Sequence, residues 1–293
     1  MQEAYNKKVK IFMSGASGAL GTAMQNLLRR ESINFLATDI NQLDITDFKK
    51  TNTALLNYRP DVILNFAAMS DVDACEENSE QAFRVHALGS MGLATIASKI
   101  GAKILYTSTN FVFDGESEQP YTEYSEPHPI NEYGRTKLLG EHYIKDLCDR
   151  SFIVRTSWLF GMDSKTFLSK FLASKDKSPF IDVICDQFAS FTYIPDLVEA
   201  LFVLLKSEHY GTYHIVNSGI GCWLDFALKA KELMNFKTEI RSVKTEELRL
   251  TARRPRYTPL TSTHYEFLFN QRMRTWERAL ADFIKLTTQK QSQ

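Results

Sequence analysis

The chain has 293 residues, 44% hydrophobic and 24% charged, a balance that supports a large buried core and excludes a disordered or low-complexity chain. Lysines and arginines number 35 against 35 aspartates and glutamates, so the formal net charge is zero; binders of nucleic acid or of membrane surfaces usually carry a basic excess, and neither partner is expected. Cys75, Cys148, Cys185 and Cys222 stand far apart without a CxxC pair, which argues against a zinc site or a redox pair. No metal is expected. The polar N-terminus and the lack of an apolar run near ~20 residues point to a cytoplasmic protein outside the membrane.

Short apolar runs alternate with amphipathic stretches through the first half, the pattern of βαβ units feeding a parallel sheet. Residues 9–14 (VKIFMS) predict a strand, 15–21 a glycine-rich turn, and the periodic stretch to Arg30 a helix. A second strand is predicted over 33–39, a helix from its Asp47 cap to Tyr58, and a buried strand over 61–68 (DVILNFAA). Ser79 opens a long helix to Ile100, and 102–108 (AKILYTS) gives the next strand. Residues 115–129 carry Pro120, Pro127 and Pro129 and read as a loop.

A helix over 132–148 and a strand over 152–156 follow. Beyond Trp158 the alternation loosens, with helices expected at 166–174, 195–206, 223–235 and 276–286 and a strand at 213–216. The expected fold is α/β: a Rossmann-type, doubly wound parallel sheet with a smaller, interleaved C-terminal lobe. Residues 1–157 would form the dinucleotide-binding domain, joined by about 185–220, and 158–293 mainly the substrate lobe.

Gly15, Gly18 and Gly21 form GxxGxxG between a strand and a helix. Glycine there permits the tight turn, lets backbone approach a pyrophosphate, and lets the helix pack close on the sheet. Unpaired N–H groups at the helix start then face the anion. Asp39, 18 residues past Gly21, ends the second strand, where a carboxylate can bind ribose hydroxyls and repel a 2′-phosphate, favouring NADH over NADPH. Tyr133 and Lys137 form YxxxK at a helix start. An i,i+4 spacing puts them on one face, and a nearby ammonium would stabilise the phenolate.

Upstream, Thr109 lies in STNFVFDG just past a predicted strand. With GASGALG, LNFAA, PINEYGRTKLLGE, RTSWLFG and ARRP in the same order, the chain resembles the dTDP-4-dehydrorhamnose reductase family of extended short-chain dehydrogenases/reductases. The resemblance covers nearly the whole chain and implies a cytoplasmic NADH- or NADPH-dependent oxidoreductase acting on a nucleotide-diphosphate sugar. The implied reaction is reduction of a 4-keto group, most directly dTDP-4-dehydrorhamnose to dTDP-rhamnose, in deoxysugar or surface polysaccharide biosynthesis.

It implies Thr109 as donor to the keto oxygen, Tyr133 as proton donor, and Lys137 as binder of the nicotinamide ribose. Gly15, Ser17, Gly18, Ala19, Leu20, Gly21, Asp39, Ile40, Asp44, Ala67, Ala68 and Thr107 would join Tyr133 and Lys137 around the cofactor. Ser70, Val72, Asn110 and Trp158 would face the sugar, with Arg254 near the diphosphate, where a planar guanidinium can pair two oxygens.

Two stretches depart from the family pattern. Asn110 and Phe111 stand where aspartate and tyrosine are usual, and Phe188-Ala189-Ser190-Phe191 precedes Thr192 where glycine and proline are usual. Both bear on which sugar is bound. Open alternatives are a nucleotide-sugar epimerase or dehydratase of the same fold, and a non-catalytic subunit resembling the regulatory subunit of methionine adenosyltransferase. A homodimer is also left open.

Overall fold

The computed structural model describes residues 9–162, 179–235 and 237–291. Its centre is a six-stranded sheet built from β1 (Lys10–Ser14), β2 (Asn34–Thr38), β3 (Val62–Asn65), β4 (Lys103–Thr109), β5 (Ser151–Thr156) and β10 (Gly211–His214). Every neighbouring pair is parallel, and the order across the sheet is β2-β1-β3-β4-β5-β10. The chain thus moves one way from β1 to β2 and the other way from β3 onward. That reversal opens a crevice between β1 and β3 at their carboxyl ends, where open α/β sheets bind ligands.

Alternate strand residues feed two cores, which is why the strands read as continuous apolar runs. Ile11, Met13, Val62, Leu64, Leu105, Phe152 and Val154 pack on one face against helix α1 (Ala19–Arg30) and α7 (Ile194–Leu205). Phe12, Ile63, Ile104, Tyr106 and Ile153 face the other way. There they meet Leu55 of α2 (Phe48–Tyr58), Leu93 and Ile96 of α5 (Ser90–Ile100), and Ile144 of α6 (Glu132–Leu147).

The expected long helix from Ser79 is present and continuous to Ile100, widened at one turn. α4 (Ser79–Phe83) passes through a π-helical turn, Arg84–Gly89, into α5. Short helix α3 (Val72–Glu77), capped by the Asp71 side chain on Ala74 N–H, precedes it and lacks a sequence signature at six residues. The predicted 61–68 strand ends at Asn65, and Phe66–Ala68 continue as irregular backbone. The helix expected at 166–174 lies outside the described residues.

After β5 the chain leaves the sheet through strands of two to five residues: β6 (Leu159–Phe160), β7 (Phe180–Ile184), β8 (Phe188–Ala189) and β9 (Thr192–Tyr193). It returns as α7 and β10, then leaves again through β11 (Gly221–Cys222), α8 (Trp223–Met234), β12 (Glu239–Val243), β13 (Tyr257–Thr258), α9 (Thr263–Phe269) and α10 (Trp276–Gln291). These outer elements share an aromatic core of Phe160, Phe191, Tyr193, Phe226, Trp276 and Phe283. Among the described residues no helix is long and apolar enough to cross a membrane.

Candidate active site

A cleft of about 380 Å³ occupies the crevice between β1 and β3. Gly15, Ser17, Gly18, Asp39, Ile40, Asp44, Ala67 and Ala68, all anticipated from the sequence, line it. Gly15 has φ +69°, and a Cβ there would stand 2.6 Å from the backbone of Phe66 and Ala67. Gly21 lies under the turn, where a Cβ would meet the Gly15 carbonyl at 2.4 Å. Gly18 differs: a Cβ would meet only that carbonyl, at 3.3 Å, so its outer face is open to a ligand.

Gly18 also begins α1 without any side-chain cap, leaving the first N–H groups of Ala19, Leu20 and Gly21 outside the intrahelical pattern. The Leu20 side chain turns into the core, so only its backbone can serve an anion. A pyrophosphate fits this cradle by shape and by donor chemistry.

Asp39 closes the cleft's far wall. Ser17 donates to it from its hydroxyl and from its N–H (3.2 Å), and Ile40 N–H adds a bond of 2.8 Å. The Ser17 hydroxyl bond, opposed by burial and aided by the backbone donors, holds the carboxyl below its usual range. Ile40 beside it is 60% exposed, an aliphatic face on the rim.

The reacting end is built from side chains. Asn131 caps α6 by accepting from Gly134 N–H at 2.9 Å, which sets Tyr133 in the first turn. The Tyr133 phenol is pushed up to about 12, chiefly by burial, with the neighbouring Thr109 side chain pulling the other way. Thr109 ends β4 and is itself fixed, accepting from Phe111 N–H at 3.1 Å.

Lys137 is 2% exposed. Its Nζ donates to the Thr107 carbonyl at 2.6 Å and stands 4.1 Å from the Tyr106 ring centroid. Burial brings the ammonium down to about 7, against the opposing pull of Glu141 and Cys75. The ammonium is therefore held against the strand, and the phenol is set by burial, by Thr109 and by the Cys75 thiol.

The expected sugar-side residues fall into two groups. Ser70 and Val72 lie at the start of α3, and Arg254 is tied to that helix by Asp73 at 2.9 and 3.1 Å. Asn110 is buried and already engaged, donating to Thr258 at 2.7 Å and accepting from Thr109 at 3.3 Å.

Trp158 has φ +39°, a left-handed conformation that is costly for a bulky residue. It lies face to face with Trp223, centroids 4.1 Å apart. Phe191, from the stretch that departs from the family pattern, packs on both rings at 5.0 and 5.4 Å and on Trp276 at 5.1 Å. The departure thus builds an aromatic wall.

One residue was missed altogether. His86, in the π-helical turn, is fully buried and meets the Tyr133 ring edge-on at 5.6 Å. A lone histidine within an apolar-periodic run carries no signal in a single sequence.

A parallel sheet, a glycine turn at its reversal point and a Tyr–Lys helix beside it define a nicotinamide-dependent oxidoreductase of the short-chain type. The family model described as RmlD substrate binding domain matches residues 9–289, and the chain belongs to that family. It is 33% identical over 276 residues to the spore coat polysaccharide biosynthesis protein SpsK of Bacillus subtilis, covering 94% of this chain and 97% of the relative.

A dTDP-4-dehydrorhamnose reductase crystal structure from Clostridium acetobutylicum superposes with a TM-score of 0.93 at 34% identity, covering 95% of this chain and 99% of the other. The Bacillus anthracis dTDP-4-dehydrorhamnose reductase, crystallised with NADP, gives a TM-score of 0.92 at 34% identity, covering 94% and 99%.

Proposed function

We propose that this protein reduces the 4-keto group of a nucleotide-linked 6-deoxy-hexulose, most directly dTDP-4-dehydrorhamnose to dTDP-rhamnose, in deoxysugar biosynthesis. The observation that carries the reading is the convergence, at the carboxyl end of the sheet, of Thr109 as the last residue of β4, the first turn of α6 with Tyr133 and with Lys137 donating to the Thr107 carbonyl at 2.6 Å, and the glycine-lined cleft. A bound NADH or NADPH supplies the hydride.

The chain's own groups do the rest. Gly15, Gly18 and the α1 N-terminus receive the pyrophosphate, Asp39 the adenosine ribose, and Ile40 the apolar face of the base. Lys137, pinned at the Thr107 carbonyl, suits the nicotinamide ribose better than direct tuning of the phenol. Tyr133 holds its proton at neutral pH, as a value near 12 requires, and gives it to the keto oxygen as negative charge develops there. Thr109, its oxygen fixed by the Phe111 N–H, turns its hydroxyl proton from Asn110 to the same oxygen.

Residues 1–157 with about 185–220 serve the dinucleotide in this reading, and most of 158–293 serves the sugar. Ser70 and Val72 face the sugar, Arg254 lies on its diphosphate side, and Trp158 forms the far wall. Asn110 acts through Thr109. The four free cysteines suit a reducing cytoplasm, and a homodimer is testable by sedimentation.

The test is NADPH and NADH oxidation by purified protein with dTDP-4-dehydrorhamnose, followed by absorbance. Tyr133→Phe should lower turnover by about 10²–10⁴-fold with cofactor affinity unchanged. Retained turnover removes Tyr133 from the chemistry. A protein that binds cofactor but oxidises neither form is not this reductase. NAD retained through purification would favour an epimerase or dehydratase.

A further inference from the structure

The His86 ring makes two hydrogen bonds whose directions can both be read. Met69 N–H donates to Nε2 at 2.9 Å, so that nitrogen carries a lone pair. Nδ1 lies 2.8 Å from Thr136 Oγ1. The Thr136 hydroxyl spends its own proton on the Glu132 carbonyl, 2.7 Å away and one turn back along α6, so its oxygen is an acceptor toward the ring. The imidazole must then carry its proton on Nδ1. Burial, reinforced by the nearby Lys137 charge, brings the ring down to about 3 and keeps it neutral.

The partners give this bridge its meaning. Met69 follows Ala67 and Ala68, lines the same cleft, and has its carbonyl held by the Cys75 thiol at 3.2 Å. Thr136 and Glu132 flank Tyr133 on the first turn of α6. The Tyr133 ring is itself held between two edges, His86 at 5.6 Å and Phe111 at 6.0 Å.

The backbone leaves no slack, since a Cβ on Gly140 of α6 would stand 2.4 Å from the His86 carbonyl. The π-helical turn supplies the direction. Widening one turn of an otherwise regular helix re-aims a side chain, and such turns concentrate at functional sites.

We infer that His86 is a positioning residue that ties the cofactor-lining segment at Met69 to the helix turn carrying Tyr133, so that the proton donor and the bound dinucleotide keep a fixed separation. The inference rests on the assignment of Tyr133 as proton donor. It adds a neutral, single-tautomer imidazole as the part that couples the two halves of the site.

Two amide variants cut the bridge at different ends. His86→Gln reaches the Nε2 position and can still accept from Met69, but offers nothing at Nδ1. His86→Asn can donate to Thr136 but falls short of Met69. With NADPH and dTDP-4-dehydrorhamnose, H86Q should lose at least about tenfold in kcat with cofactor Kd, by fluorescence titration, within about twofold. H86N, which frees the cofactor-lining segment, should lose at least about tenfold in kcat as well and in addition weaken cofactor Kd by about tenfold, with Tm within about two degrees of wild type in both variants. Imidazole nitrogen shifts in labelled wild-type protein should report the Nδ1–H form.

An Nε2–H tautomer overturns the inference, as do variants in which kcat, Kd and Tm fall in parallel, the mark of simple packing. H86Q with full kcat overturns it alone when Tyr133→Phe is inactive. Full turnover in Tyr133→Phe overturns the proton-donor assignment and this inference together.

Discussion

At the glycine turn the chain offers mainly backbone: N–H groups at the start of α1, a left-handed Gly15, and a carboxylate whose shape is fixed by main-chain donors. At the tyrosine helix it offers side chains held by other groups, Thr109 by the Phe111 N–H, Lys137 on the Thr107 carbonyl, His86 on Thr136. In the first region one added methyl group, at Gly15 or Gly21, would stand within 2.6 Å of backbone. The second can be altered one bond at a time, and each bond has a separate effect. A site of this kind binds through main-chain shape and reacts through buried chemistry.

The comparison breaks hardest at Gly15. Gly15→Ala places a Cβ at 2.6 Å from the Phe66 and Ala67 backbone at a φ of +69°. Cofactor affinity should fall by tenfold or more, with stability down by about 1–3 kcal/mol. Calorimetric titration and thermal unfolding read the two losses. Normal affinity in this variant would show that the turn can relax and that the backbone account is wrong.

Lys137 gives the next effect, and its sign depends on pH. In the unfolded chain a lysine titrates near 10.4, whereas the folded group is brought down to about 7. Between those values the unfolded chain holds a proton that the folded one lacks, so wild-type stability rises with pH across that window. Below it the full cost of burying the charge is present. Lys137→Met removes that cost along with turnover.

The variant's Tm should exceed the wild type's by a few degrees at about pH 6, and the gap should narrow by about pH 9. A gap that widens with pH would mean that Thr107 and Tyr106 more than compensate the buried ammonium.

The smallest effect belongs to Asp39. Its low carboxyl value keeps a negative charge on the cleft wall where a 2′-phosphate would lie. Asp39→Asn should shift the NADPH-to-NADH ratio of kcat/KM toward NADPH by roughly fivefold, the scale of one partly screened charge. An unchanged ratio would place the discrimination elsewhere on the rim.

The parallel strands were legible because burial on both faces leaves apolar runs, as in VKIFMS and DVILNFAA. The glycine turn and the Tyr133–Lys137 helix were legible because each depends on local spacing. The ties from Asn110 to Thr258 and from Arg254 to Asp73 were hidden, since they join residues 148 and 181 positions apart. Strands of two residues, such as Leu159–Phe160, are too short to show a period. The π-helical turn that aims His86 was also invisible: in sequence Ser79–Ile100 is one helix, and only packing against α6 decides where it widens.

The stacked pair of Trp158 and Trp223 gives the protein an optical property. Its three tryptophans all touch Phe191, so the indole emission of the whole chain originates in one aromatic cluster of the outer lobe. Two indoles at 4.1 Å are close enough for their transitions to couple, so a paired circular-dichroism band is expected whose size and sign change when either ring turns. Reduced nicotinamide absorbs where indole emits. Dinucleotide binding should therefore quench the cluster by energy transfer, while a sugar that displaces Trp158 should alter the dichroism, separating the two binding events without a label.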